Sequence, residues 1–207
     1  HIMCIEDPME YLHEHKKSII TQREVGTDTA SYEIALHNCL RQAPSVLMIG
    51  EIRSTEVMSR ALHFAETGHL CLATMHANNT YQTLERIGNF YQDKNRDNML
   101  NSLSLSLQAI ICQKLLPTIK DDNVVPAVEI MLNSAIIADR IRKGEFEEIP
   151  DFIEKSKTSG MQTFDQAVID LFKANKISDA IAIQYANSQN DVRLQIRLSG
   201  KDNLTPL

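Results

Sequence analysis

Three short apolar runs in the first half of the chain are each bordered by polar residues that could take part in chemistry. One run, Val46 to Ile49, leads into Gly50-Glu51-Ile52-Arg53, and a helical pattern opens directly afterwards. A short apolar run bounded by turn signals is typical of a strand that is buried on both faces. A carboxylate at the end of such a strand lies in the crevice where open α/β sheets bind their ligands. Glu51 could therefore hold Mg²⁺ beside a terminal phosphate, as in a Walker B element, or it could merely end a buried strand.

The second run lies at the N-terminus. Residues 2–5 are predicted to form a strand, and Glu6-Asp7-Pro8-Met9-Glu10 follows it. Pro8 disfavours helical conformation at Asp7, so these acids are expected in a turn or extended loop beyond the strand. Glu6, Asp7 and Glu10 repel one another unless a cation or a proton joins them. The segment predicts either a ligand-binding carboxylate cluster or a solvated acidic loop.

The third apolar run has a histidine at each end. Residues 69–76 form another buried-strand pattern that begins at His69 and ends at His76. Most single histidines are structural, but His76 at the end of a strand would face the same crevice as the acids. His13 and His15 lack an identifiable third metal ligand, so we interpret them as surface residues.

The elements around these runs predict an α/β fold. Strand–helix–strand order repeats over the first 90 or so residues, which favours a parallel, doubly wound sheet. One helix is predicted from residue 31 to a stop at Pro44, and another from the N-cap Ser54 to a stop at Gly68.

The second half is predicted to be mainly helical. Residues 95–116 show one long helical pattern ending at Pro117, followed by a hairpin with Asp121-Asp122-Asn123 as its turn and a strand over 125–132. A small helical bundle without chemistry of its own should then occupy 134–143, 148–158, 163–175, 177–187 and, more weakly, 190–197. Residues 199–207 are predicted to be a disordered polar tail.

Composition narrows the class of protein. The chain has 207 residues, 43% of them hydrophobic, which suits one sizeable core with a small appendage. A net charge of −6 without a long basic run argues against a nucleic-acid partner. The four cysteines are widely spaced and should be reduced, as in a cytosolic chain. No segment is apolar enough for membrane insertion. Because His1 already opens a strand-like run, either His1 is the remnant of a tag or, as we expect, the chain begins inside a larger protein.

Taken together, these motifs resemble the ATPases of type II secretion and type IV pili. Residues 5–10 resemble the Asp box of that family, residues 40–53 its Walker B signature and residues 68–76 its His box. Residues 21–26 and 160–165 also resemble segments of the pilus retraction motors. Residues 41–44, 69–74 and 76–79 are closer to the PilU-like than to the PilT-like motors. The resemblance extends over about residues 2–198.

This resemblance implies a RecA-like P-loop NTPase core over 1–133, without its N-terminal part, and a C-terminal helical region over 134–198. It implies a homo-hexamer that hydrolyses ATP with Mg²⁺ at sites between subunits and drives pilus retraction and twitching motility. The implied location is the cytoplasmic face of the inner membrane. The implied partners are a PilT-type ATPase and the inner-membrane pilus platform protein.

The resemblance also implies roles for individual residues. Glu10 would orient and deprotonate the attacking water, Glu51 would help to hold Mg²⁺ (indirectly) and that water, and His76 would sense the γ-phosphate. Further nucleotide-binding candidates are Glu6, Asp7, Arg23, Arg41, Arg53 and Arg86, and the motif positions are Gly50, Gly68 and His69. From the sequence pattern alone, Arg23 could equally be a surface charge.

Two departures from the family pattern limit these expectations. Ser45 and Ser54 occupy positions where the family has acids. The chain also contains no Gly-x-x-x-x-Gly-Lys-Ser/Thr loop, whose backbone N–H groups and lysine cradle phosphates. In the family that loop lies upstream of the Asp box, after a PAS-like domain. We therefore expect this chain alone to bind ATP weakly or not at all. The alternatives are a non-hydrolysing accessory subunit of a PilT-type motor and an unrelated α/β binding domain.

Overall fold

The computed structural model describes residues 1–91, 94–120 and 123–199. The strands are β1 (Ile2–Glu6), β2 (Ile20–Glu24), β3 (Val46–Ile49), β4 (Leu70–Ala73), β5 (Ala109–Pro117) and β6 (Val124–Leu132). The helices are α1 (Tyr32–Cys39), α2 (Thr55–Glu66), α3 (Thr80–Asn89), α4 (Lys94–Ser106), α5 (Ala135–Lys143), α6 (Ile149–Lys155), α7 (Phe164–Lys173), α8 (Asp179–Tyr185) and α9 (Gln189–Leu198).

The chain divides into two compact units. The first contains residues 1–76, 85–107 and 141–144, and the second contains 77–84, 108–140 and the described part of 145–207. The sequence-based boundary near residue 133 stays a prediction.

Four parallel strands form the sheet of the first unit, in the order β2-β1-β3-β4. Met3, Ile5, Leu47 and Ile49 are completely buried, so the two central strands carry the core of this sheet. The predicted parallel sheet is confirmed. Because all four strands run the same way, their carboxyl ends lie along one edge, where ligands bind in folds of this kind.

The helices between these strands begin where the sequence predicted, and α2 ends just before Gly68, but α1 ends at Cys39, ahead of the predicted stop at Pro44, and a short 3-10 helix over Leu40–Gln42 follows it. The hydroxyl of Ser31 accepts the N–H of Ile34 at the start of α1, and Ser54 accepts the N–H of Val57 at the start of α2. Gly68 follows α2 with a φ of +89°, a conformation that glycine adopts without steric cost.

The prediction that β4 is buried was wrong. The strand is at the edge of the sheet, and its side chains Leu70 and Leu72 are 51% and 52% exposed. An apolar run predicts burial because a parallel strand usually has neighbours on both sides. Within the described residues, β4 pairs with β3 alone.

The long helix predicted over 95–116 was also wrong in its second half. Helix α4 ends at Ser106, and residues 109–117 form β5, which pairs antiparallel with β6. Both faces of β5 are apolar: Ile110 and Leu116 are buried, whereas Ile111 and Leu115 are exposed. This hides the alternation that marks a strand and leaves apolar residues at spacings that also fit a helix.

The hairpin itself is confirmed, with its first strand earlier than predicted. The N–H of Thr118 donates to the carbonyl of Asn123 at 3.0 Å, next to the connection between the two strands. The predicted turn residues Asp121 and Asp122 lie outside the described residues, as does the predicted tail from residue 200.

The helices predicted after residue 134 are confirmed as α5 to α9, and side-chain caps fix several of their ends. Thr163 and Gln166 form a capping box at α7, and Ser178 caps α8. Asp165 accepts the N–H groups of Asn187 and Ser188 at 2.7 and 2.8 Å, just before α9.

Glu129 on β6 is a buried carboxylate that the sequence analysis did not single out. It is 5% exposed and accepts the N–H of Thr80 at 2.7 Å and the N–H of Phe164 at 3.3 Å. Both donors lie in the first turn of a helix, α3 or α7, where unpaired N–H groups and the helix dipole favour a negative charge.

All four cysteines are free, as expected. Burial raises the pKa of the Cys39 and Cys71 thiols to about 11, which keeps them protonated and poorly nucleophilic near neutral pH. In the part of the chain that the structure describes, none of the helices is long and apolar enough to span a bilayer.

Removing the Glu129 carboxylate should destabilise the chain. We expect Glu129→Ala to lower the free energy of unfolding by about 2–3 kcal/mol, because two backbone N–H groups lose their acceptor. Urea unfolding followed by circular dichroism measures this. Glu147→Ala is the control, since Glu147 is exposed, and it should stay within about 0.5 kcal/mol of wild type. Equal effects of the two substitutions would contradict the assignment.

Candidate functional site

Glu51 lies at the carboxyl end of β3, and both of its carboxylate oxygens are engaged. Its Oε2 accepts a hydrogen bond from Nε of Arg53 at 2.5 Å, and its Oε1 is 3.1 Å from Nε2 of His76. Glu51 is 9% exposed, whereas the side chain of His76 is 81% exposed. The ends of β3 and β4 are therefore joined through one buried carboxylate.

Arg53 extends this cluster to the end of β1. Its guanidinium NH1 lies 3.4 Å from Oδ2 of Asp7, so the guanidinium interacts with two carboxylates from different strands. The hydrogen bond that Arg53 donates to the Glu51 carboxylate raises the pKa of Arg53, and the guanidinium stays charged. The sequence predicted that His76 would share one crevice with Glu51 and Glu10; the structure brings His76 to Glu51, with Asp7 and Arg53 beside them, but not to Glu10.

Gly50 allows β1 and β3 to approach each other at this edge. A Cβ atom at Gly50 would lie 3.1 Å from Cα of Glu6, from the carbonyl oxygen of Ile5 and from the hydroxyl of Tyr32. The hydroxyl of Thr74 donates to the carbonyl of Gly50. A side chain here would press against backbone atoms of Ile5 and Glu6, which would have to shift by a few tenths of an ångström to accommodate it.

The Tyr32 hydroxyl is buried beside this close contact and finds no hydrogen-bond partner of good geometry among the described residues. Burial is the largest cause that raises the pKa of Tyr32, and the negative charges of Asp7 and Glu51 add to it. The nearby Arg53 charge and the backbone amide of Glu51 act in the opposite direction. The phenol therefore stays neutral beneath the acidic cluster.

Glu6 and Arg86 each engage a neighbour instead of joining the Glu51 cluster. Glu6 is 5% exposed, and its Oε1 accepts a hydrogen bond from Nε2 of Gln22 at 3.0 Å. Arg86 donates from NH1 to the backbone carbonyl of His76 at 3.0 Å, so it holds the loop that carries the histidine.

Glu10, Arg23 and Arg41 are not brought into this cluster. Glu10 and Arg41 are exposed, and neither side chain forms a hydrogen bond or ion pair with any residue in the described ranges. Arg23 donates from NH2 to Oε1 of Gln42 at 3.2 Å. The catalytic and phosphate-binding roles of these three residues stay predictions.

Gly68 and His69 lie at the other end of the sheet, because they precede β4. The Nδ1 atom of His69 is 3.0 Å from the hydroxyl of Thr67, and its ring centroid is 4.4 Å from that of Phe64. These contacts give His69 a structural role at the turn between α2 and β4.

The cluster brings two carboxylates, one guanidinium and one exposed imidazole to the carboxyl edge of the sheet. No group of three or more His, Cys, Asp or Glu residues among the described residues is arranged to hold a metal ion. Glu51 could act on Mg²⁺ through a bound water, as its engaged oxygens suggest. Arg53 supplies positive charge, and His76 can donate or accept a proton from an exposed position.

The close contact at Gly50 yields a stability prediction. We expect Gly50→Ala to lower the free energy of unfolding by about 1–3 kcal/mol, because the added methyl group overpacks the ends of β1 and β3. Adding Tyr32→Phe should recover part of this loss, since it removes one of the three contacts. Denaturant unfolding of both variants and of Tyr32→Phe alone gives the coupling energy. Full additivity would show that the hydroxyl does not contact residue 50.

Comparison with known proteins shows which family the chain belongs to. The family model described as "Type II/IV secretion system protein" matches residues 1–195. The chain is 50% identical over 210 residues to "Type IV pilus ATPase PilU" of Pseudomonas aeruginosa strain PAO1, covering 100% of this chain and 55% of that protein. It is 36% identical over 178 residues to "Type IV pilus retractation ATPase PilT" of the same strain, covering 86% of this chain and 52% of that protein.

A solved structure agrees with these relatives. The crystal structure of the pilus retraction motor PilT with bound ADP superimposes with a TM-score of 0.84 and 36% identity, covering 92% of this chain and 54% of that one. The chain spans about half the length of the relatives it matches. With the family model covering nearly all of its residues, this chain belongs to the type II/IV secretion system protein family.

Proposed function

We propose that this chain is the C-terminal part of a PilU-like ATPase that hydrolyses ATP to drive type IV pilus retraction. The observation that carries the proposal is the position of Glu51, held between Arg53 and His76 where three neighbouring parallel strands end. The 50% identity to a protein named as a type IV pilus ATPase supports the assignment to pilus motors.

The arrangement fits phosphoryl transfer, in which positioning and charge neutralisation supply most of the catalysis. Glu51 would hold a water of the Mg²⁺ shell, and Arg53 would offset negative charge on the terminal phosphate. Glu10 has no partner among the described residues, so its carboxylate is available to accept the proton of the attacking water. Bound ATP would supply the reactive phosphoanhydride.

The other half of the site would come from outside these 207 residues. The sequence contains no Gly-x-x-x-x-Gly-Lys-Ser/Thr loop, and the relatives are about twice as long as this chain. The apolar side chains of β4 at the edge of the sheet support an additional strand there, because burial of Leu70 and Leu72 would be favourable.

The proposal extends to assembly and location. A homo-hexamer with sites between subunits would explain why Arg23 and Arg41 lie away from the Glu51 cluster, since they could serve a neighbouring copy. A PilT-type ATPase and the inner-membrane pilus platform protein are the proposed partners, at the cytoplasmic face of that membrane. The net charge of −6 supports protein partners and not nucleic acid.

An accessory subunit that does not hydrolyse ATP is the alternative, suggested by Ser54 in place of an acid. The structure gives Ser54 a local role, because its hydroxyl accepts the N–H of Val57 at the start of α2. Serine and aspartate serve almost equally well as N-caps, so this replacement preserves the helix start. The replacement therefore gives no structural argument for an accessory subunit.

A longer protein with the phosphate loop restored should hydrolyse ATP, whereas the present chain should not bind it tightly. We expect calorimetric titration of the chain with Mg-ATP to give a Kd above about 1 mM, because the phosphate cradle is absent. We expect Glu10→Gln and Glu51→Gln in the longer protein to lower kcat by roughly 10²- to 10⁴-fold in phosphate-release assays.

Glu147→Gln is the matched control for these variants, since Glu147 is an exposed glutamate of the second unit. Micromolar binding by the chain alone would contradict the divided site. Unchanged turnover in Glu10→Gln would contradict its role as base. An intact hexamer without any turnover would favour the accessory subunit.

A further inference from the structure

The backbone on both sides of Glu10 is held by side chains of β2. The N–H of Met9 donates to Oε2 of Glu24 at 3.0 Å, and the carbonyl of Tyr11 accepts from Nε2 of Gln22 at 2.8 Å. The N–H of His13 donates to Oε1 of Gln22 at 2.7 Å. Backbone groups of residues 9, 11 and 13 thus form hydrogen bonds with the side chains of Gln22 and Glu24. In a β-sheet, the backbone of a neighbouring strand would occupy this role.

Gln22 is suited to this role because its amide carries both donors and an acceptor. Its Nε2 also donates to Oε1 of the buried Glu6 at 3.0 Å. A reversed amide would place its oxygen against two acceptors and its NH₂ against the His13 N–H, so the network fixes the orientation. The same side chain therefore joins the Glu10 loop to the carboxyl end of β1.

Alternation along β2 explains which residues reach the loop. Gln22 and Glu24 are two positions apart, so they point to the same face of the strand. Arg23 and Thr21 point to the other face, where Arg23 bonds Gln42 and the hydroxyl of Thr21 lies 2.9 Å from Nε2 of His1. The side chains on one face of β2 therefore bind the loop that contains Glu10.

We propose that Gln22 and Glu24 are positioning residues that set the direction of the Glu10 carboxylate. This inference rests on the proposed function, in which Glu10 is the base. With the N–H of Met9 and the carbonyl of Tyr11 each held by a hydrogen bond, the backbone on both sides of Glu10 is restrained. Such restriction of a catalytic group favours catalysis, because a displacement of about 1 Å can cost roughly 100-fold in rate.

The first test measures the loop in this chain, without nucleotide. Gln22→Met keeps the length of the side chain and removes its three hydrogen bonds. We expect amide hydrogen exchange at His13 to accelerate by about tenfold or more, because its N–H loses an acceptor. Exchange at Leu47 in the centre of the sheet should not change. Thr21→Val, which alters the opposite face of β2, should leave exchange at His13 at the wild-type rate.

The second test separates positioning from a merely structural role in the longer protein. We expect Gln22→Met and Glu24→Met to lower kcat by roughly 10- to 100-fold with little change in the KM for ATP. Glu24→Gln keeps an oxygen acceptor for the Met9 N–H and should recover much of the loss. Thr21→Val should keep the wild-type kcat.

The decisive comparison combines Gln22→Met with Glu10→Gln. If Gln22 acts through Glu10, the double variant should turn over no more slowly than Glu10→Gln alone. Multiplicative losses, a wild-type kcat in Gln22→Met or unchanged exchange at His13 would overturn the inference while leaving the ATPase intact. Absence of turnover in the unaltered longer protein would overturn the proposed function itself, and the inference with it.

Discussion

The arrangement of this site depends on one buried carboxylate. A charged group that is 9% exposed requires partners, since an unpaired buried carboxylate would be protonated or would destabilise the fold. Glu51 has two such partners, Arg53 from its own strand end and His76 from the end of β4. Gly50 precedes Glu51, and because it has no side chain, the end of β1 can pack closely against the end of β3 at this point. Changing any of these residues would alter the geometry of the others.

The arginines divide among different tasks, although the sequence presents them as equivalent candidates. Arg53 interacts with carboxylates, Arg86 holds the backbone of His76, and Arg23 occupies the face of β2 that points away from the Glu10 loop. Strand alternation and helix position decide this division. A guanidinium that binds a backbone carbonyl positions a loop, whereas one between carboxylates can exchange a partner for a phosphate of similar charge. Among these three arginines, Arg53 is the one whose contacts would permit such an exchange.

The sequence was sufficient to predict the strand ends but not the contacts between them. Apolar runs followed by Gly-Glu or by histidine mark strand termini, and parallel order brings them to one edge. The roles of Gln22, Tyr32 and Glu129 could not be predicted, because each depends on the register between segments far apart in the sequence. The hairpin strand β5 was misjudged for a different reason. Residues 109–117 are apolar on both faces, so the period of two is hidden and the apolar spacing continues the helical pattern of α4.

Leu70 and Leu72 connect the fold to the proposed function. The apolar sequence of β4 is typical of a strand that has neighbours on both sides, yet among the described residues β4 pairs with β3 alone. The carboxyl end of β4 also leads to His76, which reaches Glu51 while its ring remains 81% exposed. A further strand beside β4 would bury the leucines, and the loop at its carboxyl end would lie next to His76. We propose that this loop is the phosphate loop, which is absent from these 207 residues, and that it would face Arg53 and Glu51 across a single bound nucleotide. One missing strand would then explain both the exposed apolar edge of β4 and the incomplete site.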